Sequence, residues 1–209
     1  MKIREKIIQY GWINSLKRLF KIILRRLGIV FESYWFMLNR IDQNAIELEM
    51  QKYDYSDVKK LDVNDFKILT QGASHKNKIN TIEGRLQDGK HICYGIFEGG
   101  KLIYSTWIST DKIIYKSPIH KTFPIESTQA ILEDSYCHPD YRNKGLHSKM
   151  NLFRLKKIAD MGLTEAIVVV VVDNIPAVKT QLNCGFYKGK KIWILKIFDG
   201  TYYIEKEIL

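Results

Sequence analysis

The chain has 209 residues, 45% of them hydrophobic and 27% charged, with a formal net charge of +10 at pH 7. This length suits a single globular domain with an ordinary hydrophobic core. The three cysteines (Cys93, Cys137 and Cys184) form no CxxC pair, and the five histidines form no metal-binding motif. We therefore expect reduced thiols, no bound metal and a cytoplasmic location.

The positive charge is concentrated at the N-terminus. Residues 1–26 contain eight lysines and arginines and one glutamate, a balance of +7, so the rest of the chain is close to +3. Because the basicity ends with this segment, the sequence argues against a nucleic-acid groove across the domain. A small positive balance in the remainder suits a phosphorylated cofactor.

Residues 1–30 are predicted to contain a basic amphipathic helix. Between Trp12 and Leu27 the apolar residues recur at helical spacing with cations opposite, and Gly28 stands where a C-cap belongs. Charges are too frequent for a membrane span, and the apolar runs are too short for a signal peptide. Two alternatives remain: a peripheral anchor on an anionic membrane through residues 12–27, or a helix packed on its own domain or on a second copy in a homodimer.

The next hundred residues read as mixed structure, taken here in chain order. We predict a strand over 31–38, an ambiguous segment over 46–53, short helices over 54–69 and a surface loop over 71–80. A hairpin over 92–110 has Gly99-Gly100 at its turn, and a connector over 111–128 is long enough to act as a lid or a pocket wall.

The segment 129–187 carries the most informative order. An extended run from Gln129 to Cys137 is followed by His138-Pro139, a basic loop, a helix over 146–161 and a buried strand over 166–172. A final hairpin over 192–208 has Asp199-Gly200 as its turn. Residues 31–209 are thus predicted to form one α/β (α+β) layered domain, a mixed central sheet with helices on both faces.

The basic loop predicts an anion site. The helix that begins near Leu146 leaves its first N–H groups without intrahelical partners, and its dipole is positive at that end. Gly145 permits close approach of a ligand, while Arg142 and Lys144 add charge, which favours a phosphate or pyrophosphate. The spacing fits neither a P-loop nor the dinucleotide fingerprint.

The same residues resemble the GNAT (GCN5-related N-acetyltransferase) superfamily. The run Cys137-His138-Pro139-Asp140-Tyr141-Arg142-Asn143-Lys144-Gly145-Leu146-His147 is similar to its pyrophosphate loop, and Asn174-Ile175-Pro176-Ala177 followed by Cys184-Gly185-Phe186 is similar to its last motif. Two positions depart from the pattern. His147 replaces a small residue, and Gln181 stands where a tyrosine is common.

The resemblance implies a GNAT-like acyl-CoA N-acyltransferase fold with acetyl-CoA as co-substrate. The pyrophosphate would lie on the backbone of Asn143, Lys144, Gly145, Leu146 and His147, beside Arg142. The pantetheine arm would follow the edge of Tyr136 and Cys137 near Asn174, where the two central parallel strands splay apart. The backbone N–H of Cys137 or His138 would polarise the thioester carbonyl.

Transfer to an amine also needs a base, because the attacking nitrogen must be neutral. Glu133 is the first candidate, with Asp134 and Glu126 behind it. Adjacent residues of a strand point to opposite faces, so only one of Glu133 and Asp134 is expected to face a given pocket. Tyr136 and Tyr187 are candidate acids, and the alternative is that no acid is needed, because a thiolate leaves without much help. Cys137 and Cys184 are not expected to act as nucleophiles, since no histidine–carboxylate arrangement accompanies either.

We interpret the chain as an N-acetyltransferase for a small-molecule primary amine, with an amino sugar or sugar nucleotide of surface-polysaccharide synthesis as the acceptor. Peptide, polyamine and amino-acid acceptors remain alternatives. So does a non-catalytic acyl-CoA-binding module, which the changes at His147 and Gln181 permit.

Overall fold

The structure, a computed structural model, describes residues 12–67, 76–115 and 121–208. Residues 1–11, 68–75, 116–120 and 209 lie outside this description, and with them parts of the predicted N-terminal segment, short helices, surface loop and connector. The helices are α1 (Trp12–Arg26), α2 (Gln43–Met50), α3 (Val63–Lys67), α4 (Lys76–Gln87), α5 (Leu146–Asp160) and α6 (Ile175–Asn183). The strands are β1 (Ile29–Arg40), β2 (Val58–Lys60), β3 (His91–Glu98), β4 (Lys101–Ser109), β5 (Lys112–Tyr115), β6 (Lys121–Pro124), β7 (Gln129–Cys137), β8 (Glu165–Val171), β9 (Tyr187–Ile197) and β10 (Gly200–Glu207).

Eight strands form one mixed sheet in the order β10-β9-β1-β8-β7-β4-β3-β2. β7 and β8 pair in parallel, joined by the crossover helix α5, and the neighbouring pairs in this sheet are antiparallel. β5 and β6 form a separate antiparallel hairpin. The mixed sheet flanked by helices confirms the predicted fold class. No helix in the described ranges is long and apolar enough to cross a membrane.

Both faces of the central strands are covered. On one face, α5 packs Met150, Leu155 and Ile158 into the main core, and all three are at most 1% exposed. On the other face, Ile113 and Phe123 of the β5–β6 hairpin join a second cluster with residues of β1, β7, β8 and β9. Two strands of the connector over 111–128 therefore cover this face of the sheet.

Several segments differ from the sequence prediction. The ambiguous run 46–53 overlaps α2, β2 lies inside the predicted short helices, and residues 76–80 belong to α4 rather than to a loop. In α4, Ile82 and Leu86 pack against the cluster that contains Trp107, so a tertiary contact stabilises a helix that its polar sequence does not suggest. The last turn consists of Phe198 and Asp199, since Gly200 already pairs with Ile197.

Candidate active site

β7 and β8 diverge in the middle of the sheet. Within the described segment 121–208 they pair only over Gln129–Ile131 and Glu165–Ile167, although β7 continues to Cys137 and β8 to Val171. From Glu133 to Cys137, β7 pairs with β4 alone. One edge of its C-terminal half is therefore open, as the resemblance implied, and an extended ligand can add to that edge as a strand would.

The loop after β7 leads directly into the N-terminus of α5. Gly145 has a left-handed backbone (φ 75°) and provides no side-chain cap, and the first helical bond that it accepts comes from the N–H of Lys149 (3.0 Å). The N–H groups of Leu146, His147 and Ser148 precede that bond and have no intrahelical acceptor. A Cβ atom added at Gly145 would meet no atom within 4 Å, so the space in front of these donors is open. The backbone thus fits an anion.

The two loop cations lie beside this space. Arg142 is exposed, and its Nε donates to the carbonyl of Cys137 at 3.4 Å. The Nζ of Lys144 lies 4.6 Å from the centre of the Tyr141 ring. Both charges therefore remain near the end of β7, where they complement a diphosphate.

Backbone hydrogen bonding distinguishes the two candidate oxyanion donors. The N–H of His138 donates to the carbonyl of Ile103 at 2.8 Å, so it is used within the sheet, which corrects the expectation that it could polarise a thioester. Because N–H groups alternate along a strand, the N–H of Cys137 points to the other side, from which β8 has diverged. The side chain of His138 turns back to accept from the N–H of Asp140 at 3.4 Å.

A cavity of about 800 Å³ lies where the strands separate. Its walls come from β1, α4, the β5–β6 hairpin and the diverging strands. Carboxylates outnumber cations in its lining: Glu32, Asp88, Asp111, Glu133 and Asp134 against Arg25, Arg85 and Lys112. Its volume falls within the usual range for small-molecule sites.

Glu133 and Asp134 face the same side, which corrects the expectation that they would point to opposite faces. Both bind the guanidinium of Arg85, Glu133 through Nη2 and Asp134 through Nη1 at 2.7 Å. The reason is a bulge: the register of β4 and β7 shifts between Ser105 and Trp107, and Asp134 has a φ of 37°. The side chain of Glu133 is 22% exposed and that of Asp134 is 63% exposed, so Glu133 is the more enclosed carboxylate.

Arg85 occupies a cation site formed by an aromatic ring and two carboxylates. Its guanidinium carbon lies 4.2 Å from the centre of the Trp107 ring while the two carboxylates hold its edge. Aromatic faces and carboxylates are the groups that bind ammonium ions. Any cationic ligand that approaches Glu133 would therefore meet a protein cation already in place.

A buried arginine supports the bulge from the other face of the sheet. Arg154 of α5 is 1% exposed, and its Nη1 donates to the carbonyls of Trp107 (3.2 Å) and Glu133 (3.4 Å). Its Nη2 donates to the side chain of Asn151, whereas its Nε has no hydrogen-bond partner in the described part of the chain. Burial lowers the pKa of Arg154 to about 10, so it stays charged at neutral pH. The bulge that aims Glu133 is thus tied to the helix that begins at the anion loop.

His147 and Gln181, the two residues that depart from the family pattern, contact each other. The amide nitrogen of Gln181, which can only donate, lies 3.2 Å from Nε2 of His147, so Nε2 accepts and the proton of the neutral ring is on Nδ1. Nδ1 then donates to the hydroxyl of Tyr104 at 2.7 Å. Asn151 donates to the side-chain oxygen of Gln181 at 3.0 Å, which joins this chain to Arg154. Gln181 therefore fills a structural position in a buried network that spans β4, α5 and α6.

His147 is kept neutral by this environment. Burial, reinforced by the charge of Arg154, lowers its pKa from 6.5 to about 4. Burial also raises the pKa of the Tyr104 hydroxyl, and Tyr104 itself is fully buried. At neutral pH the pair is therefore an uncharged hydrogen-bonded unit.

The other predicted residues lie on β7 and at the two ends of α6. Tyr136 is 46% exposed on β7. Asn174 precedes α6, makes no side-chain capping bond and borders a second cavity of about 430 Å³. Burial raises the pKa of the Cys137 and Cys184 thiols, which disfavours a thiolate nucleophile at either position.

Sequence reasoning missed Arg154 and Asn151. One signal was available: His147, Asn151, Arg154 and Ile158 follow one another at spacings of four, three and four, so they share one face of α5. Three polar residues in line with a core isoleucine indicate a buried polar network. No local pattern, however, could have supplied their partners on β4 and β7.

The comparisons with solved structures show which fold this is. A protein of unknown function from Staphylococcus epidermidis is 11% identical with a TM-score of 0.54, covering 93% of this chain and 67% of that one. A putative GNAT-family acetyltransferase from Novosphingobium aromaticivorans is 13% identical with a TM-score of 0.53 (87% and 69%), and a GCN5-related N-acetyltransferase-like protein from Streptococcus suis is 15% identical with a TM-score of 0.53 (93% and 68%). The chain spans about two thirds of each. It has the GNAT fold, which confirms the resemblance found in the sequence.

Sequence comparisons add little. No protein-family model matches the chain. Among curated proteins, trypsin-3 of Salmo salar is 30% identical over 109 residues, which is 48% of this chain and 43% of that protein. Serine proteases of the chymotrypsin type are built on β-barrels, whereas this sheet is open and flanked by helices, so that match carries no functional argument.

Proposed function

We propose that the chain is an acetyl-CoA-dependent N-acetyltransferase that modifies a small-molecule primary amine. One observation carries the proposal. β7 pairs with β8 only at its start, its residues Ile131 to Asp134 line the cavity, and its far end runs into the loop before the uncapped N-terminus of α5. An enclosed carboxylate, an open strand edge and an anion site thus follow one another along the chain.

The residues present fit acetyl-CoA. The N–H groups from Asn143 to Ser148, with Arg142 and Lys144, would hold the pyrophosphate. The open edge of β7 would bind the pantetheine amides, and the N–H of Cys137 would donate to the thioester carbonyl as negative charge develops on its oxygen. Asn174 would border the thiol end of the arm.

The chemistry then needs one proton acceptor. Glu133, directly or through a water molecule, would take the proton that the amine loses as its nitrogen attacks the thioester carbon. The carbon–sulfur bond breaks, and the CoA thiolate takes a proton from solvent. Because the thiol pKa is about 8.5, the thiolate leaves without a strong acid, and the absence of a tyrosine at position 181 is tolerated.

The cavity constrains the acceptor. With five carboxylates against three cations in its lining, it favours a cationic amine over an acidic one. A free amino sugar or a polyamine meets this condition. A sugar nucleotide would carry two phosphates into an acidic cavity, so among the acceptors that the sequence suggested it is the least compatible.

The cofactor assignment is tested by Gly145→Glu. We expect CoA affinity in calorimetry to fall at least about 30-fold, because a like charge about 4 Å from a phosphate costs on the order of 2–4 kcal/mol near a protein surface. Gly162→Glu is the matched control, since Gly162 has nearly the same φ (74° against 75°) and equally open space at the other end of α5. Equal CoA affinities for the two variants would refute the loop assignment.

The reaction is tested by thiol release from acetyl-CoA over a panel of amines. We expect turnover with cationic amines such as amino sugars or polyamines. CoA binding without turnover of any amine would instead favour the non-catalytic acyl-CoA-binding module, which the partly buried His147–Gln181 contact allows. Turnover restricted to peptide amines would contradict the small-molecule assignment.

A further inference from the structure

The apolar stripe of α1 faces away from the domain. Five residues of the stripe are between 49% and 60% exposed: Leu16, Leu19, Phe20, Ile23 and Leu27. At 100° per residue they span an arc of roughly 100° on one side of the helix. A helix that covers its own core would bury this side. The expectation of a helix packed on its domain through its apolar stripe is therefore wrong.

The helix is attached to the domain through its cations instead. The Nζ of Lys21 lies 2.9 Å from the carboxylate of Asp173 and 3.3 Å from that of Glu32, which also binds Arg25. Glu32 is 7% exposed, so the ion pairs are partly shielded from water. Lys21 and Arg25 lie roughly 170° around the helix from the centre of the apolar stripe. These ion pairs therefore turn the apolar stripe away from the domain.

The exposed apolar surface continues beyond the helix. Phe198, in the turn between β9 and β10, is 70% exposed and donates its N–H to the carbonyl of Gly28 at 2.9 Å. Its ring also lies 3.1 Å from the position that a Cβ atom of Gly28 would occupy. Leu27, Phe198 and the neighbouring Ile197 (39% exposed) thus extend the stripe. Connected apolar surfaces of this kind mark interaction sites.

We propose that this surface, α1 together with Phe198, binds an anionic lipid bilayer. Residues 1–26 carry a balance of +7, of which +5 remains once Lys21 and Arg25 are paired with the domain, and Arg26 is exposed beside the stripe. A cationic helix with an apolar face lies in the plane of a membrane interface, and the acidic headgroups of the bilayer attract its charges. A second copy of this chain on the same surface would place two segments of net positive charge against each other, which charge repulsion opposes.

The bound orientation would bring the cavities to the membrane. Arg25 borders both the 800 Å³ cavity and the 430 Å³ cavity, and Lys21 borders the smaller one. The side of α1 opposite the bilayer therefore faces the candidate active site. This inference concerns the surface alone, and it stands whether or not the chain transfers an acyl group.

The test is sedimentation with lipid vesicles. The full chain is mixed with phosphatidylcholine vesicles that contain about 30% phosphatidylserine, or with pure phosphatidylcholine vesicles. We expect the wild-type chain to sediment with the anionic vesicles only. Phe20→Glu should weaken this binding at least about tenfold, because a charge replaces an apolar side chain that the bilayer would bury.

The matched control is Leu48→Glu. Leu48 is 63% exposed on α2, so it undergoes the same chemical change at a helical surface outside the stripe, and this variant should bind as the wild type does. Thermal unfolding of both variants verifies that they fold. A wild-type chain that leaves anionic vesicles unbound, or a Phe20→Glu variant that binds equally well, would overturn the proposal. So would a wild-type dimer in light scattering that Phe20→Glu converts to a monomer, since the stripe would then belong to a second copy.

Discussion

Protonation of His147 should destabilise the fold in a defined pH window. Its pKa is lowered from 6.5 to about 4 by burial and by Arg154, so between these values the unfolded chain binds more protons than the folded chain. The free energy of unfolding therefore rises with pH from 4 to 6.5, and the contribution present above pH 6.5 is lost on acidification. Complete loss of this contribution lowers the free energy of unfolding by roughly 3 kcal/mol, and at about pH 5 the expected loss is roughly 2 kcal/mol.

The assay is urea unfolding followed by tryptophan fluorescence, at about pH 7.5 and about pH 5. His147→Gln removes the titrating ring but keeps groups that can hydrogen-bond to Tyr104 and Gln181. The wild-type chain should lose roughly 2 kcal/mol more than the variant between the two pH values. Carboxylates whose pKa is lowered, such as Asp88 and Asp160, titrate in both proteins and cancel in the difference. Identical pH dependence in the two proteins would refute the assignment of a neutral, partly buried His147.

Three further predictions concern the site. Glu133→Gln should lower kcat by about 10²–10⁴-fold and leave CoA affinity unchanged. Glu133 would not be the base if the variant kept wild-type rates across the pH range, or if Asp134→Asn lost as much activity. Arg154→Met should lower stability by about 2–4 kcal/mol, because three buried acceptors lose a charged donor; unchanged urea unfolding would contradict this. Arg85→Met should lower KM for a cationic amine, since it removes the cation that already occupies the site beside Trp107. A KM that stays constant or rises would show that Arg85 does not compete with the acceptor.

Local patterns predicted the elements around the site correctly. The helix α5 and the strand β8 were expected within one residue of their observed bounds, and the Gly99-Gly100 turn joins β3 to β4 as predicted. These features depend on periodicity and turn chemistry over a few residues, which a single sequence contains. The anion loop belongs to the same class, because the left-handed Gly145 and the free N–H groups of α5 are local.

The geometry of the carboxylates was beyond such reasoning. Strand alternation placed Glu133 and Asp134 on opposite faces, but a bulge in the pairing of β4 with β7 brought them to one arginine. A bulge depends on the partner strand, and Arg85 comes from a helix that the sequence did not predict. The same limit applies to Arg154, whose two backbone acceptors lie 21 and 47 residues away along the chain.

The sequence by itself determined the mixed α/β order, the glycine-led start of α5 and the amphipathic character of α1, because each is encoded in neighbouring residues. Only the tertiary structure decided where β7 and β8 separate, which carboxylate is enclosed, and which side of α1 faces solvent. The contact between Lys21 and Asp173 joins residues 152 positions apart, and it reversed the orientation that the helical pattern alone favours. Interactions over such separations depend on how the whole chain packs, and no short segment specifies them.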